Sequence, residues 1–281
     1  MVRMIVYLVG LVASLLWMSW SDPTSGWFAI PSGLAIGFGI PLLDAFMVNF
    51  RLLNIVWYAL RTWRGRVRIS ASYLYRIRVD NEYLLVKGGR FDQFQPVGGV
   101  YKSHPSSAGR RDQLGVLDDN LLVPDAVSEG DLRVRVPGKN LLSFVRWFEQ
   151  GQGRETDGCR EFNEELVATG LLPQDLFQTI KYDTLGRHYE PMRYSQWAQS
   201  EELLIADILE LLPTPAQMEA LRQLKADESP QVLWASESQI RRLGATEGLA
   251  NQTTRIAQTA TWTIDIATWT RPCCGRHRQA I

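Results

Sequence analysis

Two apolar runs open the chain and a long alternating stretch follows them. From Met4 to Trp20, "MIVYLVGLVASLLWMSW" carries no charge, and at 1.5 Å per residue a helix of that length covers roughly 26 Å, near the lower limit for a bilayer. "SDPTSG", residues 21 to 26, reads as a turn, and "WFAIPSGLAIGFGIPLLDAFMV", residues 27 to 48, is a second run of spanning length. Neither shows the polar stripe of a surface helix. A cleaved signal peptide is the alternative for the first run. It is disfavoured by the lack of an Ala-x-Ala type site and by the second run close behind.

The pair therefore predicts a two-span hairpin, residues 1–50, followed by a basic juxtamembrane helix or linker, residues 51–69. Arg51, Arg61, Arg64, Arg66 and Arg68 crowd the region after the second span and the connecting turn has no arginine. Both termini are thus expected in the cytoplasm. Trp17, Trp20 and Trp27 suit the opposite interface. Gly33 and Gly37 have the small-xxx-small spacing that lets helix backbones approach in lipid, although glycine is also simply common in membrane helices. Asp44 is expected at the cytoplasmic edge, because a carboxylate at the bilayer centre costs around 3 kcal/mol.

Beyond Arg68 the pattern changes to short alternating segments. Residues 73 to 89 predict a hairpin closed by Asp80 and Asn81. "FQPVGGVYK" predicts a glycine turn entering a strand, and residues 103 to 130 a long polar loop. "LRVRV", "LLSFVRWFE", "LFQTIKYD", "RHYEPMRYS", "LLIADILELL" and "QVLWAS" read as strands. "PAQMEALRQL" and "ESQIRRLG" read as helices. Residues 70–250 are thus expected to be a mixed α/β domain without repeats, and 251–281 a C-terminal tail.

Composition narrows the chemistry. Thirty basic and thirty acidic side chains cancel over 281 residues, which gives no reason to expect a nucleic-acid polymer as partner. Cys159, Cys273 and Cys274 cannot supply a disulfide framework. The three histidines are too scattered for zinc, so any metal should be bound by oxygen. In "REFNEE", residues 160 to 165, Glu161, Glu164 and Glu165 stand at i, i+3 and i+4, one face of a helix. Either a hard divalent cation sits among these charges or they form a solvated acidic face with Arg160 as local partner.

Context brings in a resemblance. "REFNEE" preceded by "GRET" and by "EYLLVKGG" and "FQPVGG" resembles the Nudix family, whose box ends in R-E-apolar-x-E-E-x-G. The resemblance covers roughly residues 70 to 250 and implies an α/β/α sandwich with a mixed sheet. It also implies Mg²⁺ as cofactor held by Glu161, Glu164 and Glu165, with Glu161 the catalytic candidate if the chain is a hydrolase. The chain departs from the pattern at Gln152, where the family has a glutamate eight positions before the box arginine. Glu155, the nearest substitute, lies three residues too close, and "LVATG" delays the expected glycine to Gly170. Hydrolysis is therefore more in doubt than fold.

A Nudix-like domain behind a two-span hairpin, with "GRET", "REFNEEL" and "ATGLLP", looks like the membrane effectors of bacterial antiphage systems built on cyclic-oligonucleotide synthases (CBASS). That resemblance implies a cyclic oligonucleotide ligand made by such a synthase, a CD-NTase. It further implies assembly into a homo-oligomer and disruption of the inner-membrane bilayer. A membrane-tethered Nudix pyrophosphohydrolase and a ligand-free adaptor are the competing readings. A phosphodiester ligand calls for guanidinium groups and aromatic surfaces, for which Arg146, Arg187, Tyr189 and Arg193 are the candidates.

Overall fold

The structure, a computed structural model, describes residues 2–89, 91–119, 129–245, 254–270 and 279–280. The chain divides into two compact units, Met1–Arg61 and Thr62–Ile281.

The first unit is a helical hairpin of α1 (Val2–Trp20) and α2 (Ala29–Arg61). Both contain a stretch long and apolar enough to cross a membrane. The intervening turn is built locally: Asp22 Oδ1 accepts from the Thr24 amide at 2.9 Å, and Ser25 caps the helical turn of Gly26–Phe28. Gly10 is where the two helices meet, since a β-carbon there would stand 2.8 Å from the Phe38 ring. Ser14, buried beside this contact, donates to the Gly10 carbonyl at 2.7 Å. Gly33 and Gly37 behave differently: a β-carbon at either would meet nothing within 4 Å. These two glycines are not consumed by packing inside the hairpin. Replacing Gly10 with Leu is therefore expected to disrupt the hairpin itself, whereas the double change Gly33→Leu, Gly37→Leu should leave it formed. Helix content and thermal stability of the two variants in detergent separate the effects.

In the second unit β1 (Arg66–Arg76) leads to a hairpin of β2 (Arg78–Val79) and β3 (Glu82–Lys87), then β4 (Phe94–Pro96) and β5 (Gly98–Val100). The hairpin closes at Asp80 and Asn81, both at positive φ (50° and 67°), the conformation a two-residue turn of this kind demands. A short helix α3 (Ala108–Gln113) and β6 (Leu117–Asp118) occupy part of the stretch expected to be loop; 120–128 lie outside the described residues. Next come β7 (Arg133–Pro137), helix α4 (Leu141–Gln150) and the acidic helix α5 (Cys159–Phe162).

After the acidic helix come β8 (Lys181–Tyr189), β9 (Arg193–Ser195), β10 (Ser200–Leu211), α6 (Pro215–Ala226), β11 (Val232–Ser236) and α7 (Glu237–Arg241). Then follow α8 (Thr259–Trp262), β12 (Trp269–Thr270) and β13 (Gln279–Ala280). The larger sheet runs β12-β8-β10-β1-β7-β6, and β11-β3-β2 form the backbone of the smaller one. β1 and β10 are parallel and their other partners antiparallel, so the sheet is mixed, as expected for a Nudix-like domain.

Four expectations need correction. "LFQTIKYD" is strand only from Lys181, where β8 begins, and 176–180 precede it outside any strand. "LLSFVRWFE" is the helix α4, not a strand: Leu141, Phe144, Val145, Trp147 and Phe148 are its buried positions, a helical spacing, and Gly151 ends it in the left-handed conformation. "RHYEPMRYS" is two strands, β8 and β9, parted by Glu190–Met192 where Pro191 cannot donate to a ladder. Within the region expected as a C-terminal tail, the described residues from 254 onward include a packed segment, because Ile256, Ala260 and Ile264 complete a core with Tyr83, Leu85, Ala235 and Ile240. Cys273 and Cys274 lie outside the described residues.

Candidate functional site: the acidic helix and its glycine cradle

α5 is anchored from below. Phe162 and Leu166 are fully buried, with the Phe162 ring 5.4 Å from Tyr75 and 5.8 Å from Phe177. Beyond Phe162 the helix widens into a π-turn, Asn163–Val167, closed by the Ala168 amide on the Asn163 carbonyl at 2.7 Å. Glu164 and Glu165 therefore stand in a widened turn rather than on the regular α-helix that their spacing predicts. Such insertions often mark functional positions.

The "PVGG" turn cradles this helix. Gly98 has φ +146°, and a β-carbon there would lie 2.2 Å from the Tyr73 carbonyl oxygen. At Gly99 one would lie 2.0 Å from Glu161 Oε1. Only glycine lets the strand approach so closely. In return the Gly98 amide donates to Glu165 Oε2 at 3.0 Å, and the Glu161 amide donates to the Tyr73 hydroxyl at 3.3 Å.

Arg160 serves the carboxylates as counter-ion. Its Nη1 meets Glu161 Oε1 at 2.6 Å and Glu164 Oε2 at 3.5 Å, and its Nε meets Glu155 Oε1 at 3.2 Å. Its Nη2 donates to the Val100 carbonyl at 2.9 Å. Glu155, too near the box arginine by sequence count, thus reaches that arginine in space. It also accepts from the Lys102 amide at 3.1 Å.

The oxygen-only donor set suits Mg²⁺ chemically. Its geometry does not: among the described residues no three Asp, Glu, His or Cys side chains are grouped to hold a metal ion, and Arg160 already engages Glu161 and Glu164. The guanidinium occupies the position between these two carboxylates that a cation would need.

Burial, reinforced by the charges of Glu161 and Glu164 and opposed by the Gly98 amide, pushes the Glu165 carboxyl up to about 8. Asp131 lies on the strand side of the same cluster, 3.3 Å from Arg133. It is raised to about 6, by burial first, against the pull of Arg133, Lys102 and Arg160. An acid with a raised folded value holds its proton in the native state after the unfolded chain has lost it, so stability falls as pH climbs between the two values. For Glu165 that window runs from about 4.5 to about 8. The domain should lose a few kcal/mol across it, because one tenfold change in proton concentration is worth about 1.4 kcal/mol. Glu165→Gln should flatten the decline, and urea unfolding at pH 5, 6, 7 and 8 measures it.

The expected ligand residues part company. Arg187 is buried, with Nη2 2.9 Å from Asp207 Oδ2 and its Nε on Oδ1. Tyr101 donates to the same Asp207 at 2.8 Å. Tyr189, half-buried on the same face, donates to Glu149 of α4 at 2.6 Å. Both residues join the sheet to α4. Arg146 is exposed on α4, and Arg193 is exposed on β9 with Glu190 3.8 Å away.

Arg154, the arginine of "GRET" and not one of the expected ligand residues, lies between the rings of Tyr101 (4.5 Å) and Phe148 (4.1 Å) and donates to the Phe148 carbonyl. The legible signal for this network is Asp207, a carboxylate flanked on both sides by apolar residues in the strand "LLIADILELL", which burial obliges to find partners. Cys159 is half-buried and pushed up to about 12, by burial first, which makes it an unreactive thiol.

No curated protein and no solved structure matches the chain. The family model described as the SMODS-associated NUDIX domain matches residues 66–264, a range that takes in β1 to β11, the acidic helix and the packed segment through Ile264. With two N-terminal helices apolar enough to cross a membrane, this match fits a CBASS-associated Nudix effector with a transmembrane hairpin. The chain belongs to the SMODS-associated NUDIX domain family.

Proposed function

We propose that this chain is a two-pass inner-membrane effector with both termini in the cytoplasm. Its Nudix domain senses a cyclic oligonucleotide made by a CD-NTase, and binding drives homo-oligomerisation of the hairpin and loss of the membrane barrier. The observation that carries the sensor reading is Arg160. Its contacts to Glu155, Glu161 and Glu164 engage the carboxylates of the box within the fold itself, which supports a binding role over a hydrolytic one. Arg146 and Arg193 supply exposed guanidinium groups and Tyr189 is the aromatic candidate; Arg187 acts from the core by holding β8 to β10.

The energetics set a condition on this reading. A ligand that binds resting and assembled states equally shifts nothing. To move a population from about 1:99 to 99:1 it must prefer the assembled state by about 10⁴-fold. The open Gly33–Gly37 face of α2 is the surface on which protomers meet in this proposal. Residues 62–65 lead from α2 into β1. They are tied to the domain by Gly138, whose amide donates to the Gly65 carbonyl at 3.1 Å. A β-carbon at Gly138 would lie 2.2 Å from the Thr62 carbonyl oxygen.

One observation favours a membrane-tethered pyrophosphohydrolase instead. Glu165 holds a proton beside Glu161 and Glu164, and a divalent cation, which Nudix domains generally use, would reverse that. Two assays on the full chain in detergent separate the readings. Cyclic di- and trinucleotides should raise its melting temperature with ligand concentration and be recovered intact. Release of phosphate or a nucleoside monophosphate from nucleoside diphosphate derivatives would favour the hydrolase.

A further inference from the structure

Alternation along β1 sorts its side chains. Tyr73 and Tyr75 lie under the acidic helix; Arg68, Ser70 and Ser72 belong to the opposite face. The register brings neighbours to that second face: Arg68 pairs with Glu202 and Arg135, and Ser70 with Leu204 and Arg133. At one end stands Trp197, in the turn between β9 and β10. Its ring lies over the Arg68 guanidinium, 4.9 Å from carbon to ring centroid, yet the residue remains 53% exposed.

That turn is held rigidly. Arg135 Nη2 donates to the Ala198 carbonyl at 3.0 Å, the Ala198 amide donates to Ser195 Oγ at 3.2 Å, and Ala198 itself is fully buried. Arg68 is fixed in turn by Asp119 at 2.6 Å and by Glu202, and Asp119 also accepts from Arg135 at 3.1 Å. Withdrawing these charges from water costs several kcal/mol per ion before pairing repays it. The arrangement holds one indole in a fixed pose at the surface, backed by a cation. Ser200 lies on the same face of β10 as Glu202. It is only 8% exposed, and its hydroxyl has no hydrogen-bond partner among the described residues.

We propose that Trp197 is the stacking platform for one base of the nucleotide ligand. A fixed aromatic ring stacks any base through its π-face, and the Arg68 cation beneath it prevents the indole from folding inward. The adjoining floor of Ser70 and Ser72, flanked by Arg133, suits a polar ring joined to an anionic backbone. At the Trp197 end this face carries Arg68, Glu202, Arg135 and Ser70, with Leu204 and Ala206 following further along β10, and that polar end suits a nucleobase. The inference rests on the nucleotide-sensing reading and adds to it the residue that reads a base.

The test is isothermal titration of the full chain in detergent with cyclic di-AMP, cyclic di-GMP, cyclic GMP-AMP and cyclic tri-AMP. For whichever probe binds the parent chain, Trp197→Ala should weaken binding about tenfold or more, the usual scale for losing one base–aromatic stack. Trp197→Phe should stay within about threefold of the parent, since a smaller ring still offers a π-face. Tyr194 is exposed on the same hairpin, but its β10 neighbour is Glu201, which points to the other face, so Tyr194→Ala should bind as the parent does. Parent-like binding by Trp197→Ala overturns the platform and leaves the sensing reading standing, as do equal losses in Trp197→Ala and Tyr194→Ala. If none of the four probes binds the parent chain, the sensing reading fails and the platform fails with it.

Discussion

Asp207→Ala is expected to destabilise the Nudix domain by about 3–5 kcal/mol, the scale for removing one partner of a buried ion pair. Asp207 is 5% exposed and accepts from Arg187 and from Tyr101. Its loss strands a guanidinium in the core, packed 4.7 Å from the Phe148 ring, together with an unsatisfied phenol. The converse change, Arg187→Met, should cost less, because Tyr101 still donates to the remaining carboxylate. The double change Asp207→Ala, Arg187→Met should cost less than the two single losses together, since both charges are then gone. Urea unfolding of the three variants gives the coupling directly. If Asp207→Ala proved as stable as the parent, the network that fixes α4 to the sheet would not be what the structure describes.

The second large effect is at the glycine cradle. Gly98→Ala places a side chain at φ +146° and drives its β-carbon to 2.2 Å from the backbone oxygen of Tyr73. The conformational strain alone is worth roughly 1–3 kcal/mol, and the clash is with backbone that cannot rotate away. A loss of about 3 kcal/mol or more is expected from the two together. Gly99→Ala presses instead on the tip of Glu161, which can move at the expense of its bond to Arg160. It should cost less stability and disturb the acidic helix more. Thermal melts, paired with nucleotide affinity, distinguish a folding defect from a displaced helix.

How far each feature can be read from the sequence follows from how local its cause is. The Asp80–Asn81 turn is legible because two adjacent residues tolerant of positive φ suffice to define it. The apolar spans are legible because length and lack of charge are properties of one segment. α4 reads wrongly as a strand because its Phe, Val and Trp content suits strands, while the burial of Leu141, Phe144, Val145 and Phe148 is helical and outweighs propensity. The packing of Ile256, Ala260 and Ile264 depends on β3 and β11 far along the chain, and no local pattern announces it.

The acidic helix divides in the same way. Three glutamates behind an arginine are visible at once. That Arg160 also takes up Glu155 depends on how the "GRET" turn folds back, and that Arg187 turns inward depends on Asp207 of a neighbouring strand. The first is a local turn whose geometry the residue spacing does not announce, and the second is a consequence of strand pairing.

The most direct measurement reconstitutes the full chain in dye-loaded vesicles of bacterial inner-membrane lipid. The cyclic di- and trinucleotides are added one at a time, and dye release is followed while the nucleotide is assayed by chromatography. Release should follow at least one nucleotide, that nucleotide should be recovered unchanged, and the Gly33→Leu, Gly37→Leu chain should leave the vesicles sealed. Vesicles that stay intact while the parent chain binds its nucleotide, or leakage that requires the nucleotide to be consumed, would contradict the account.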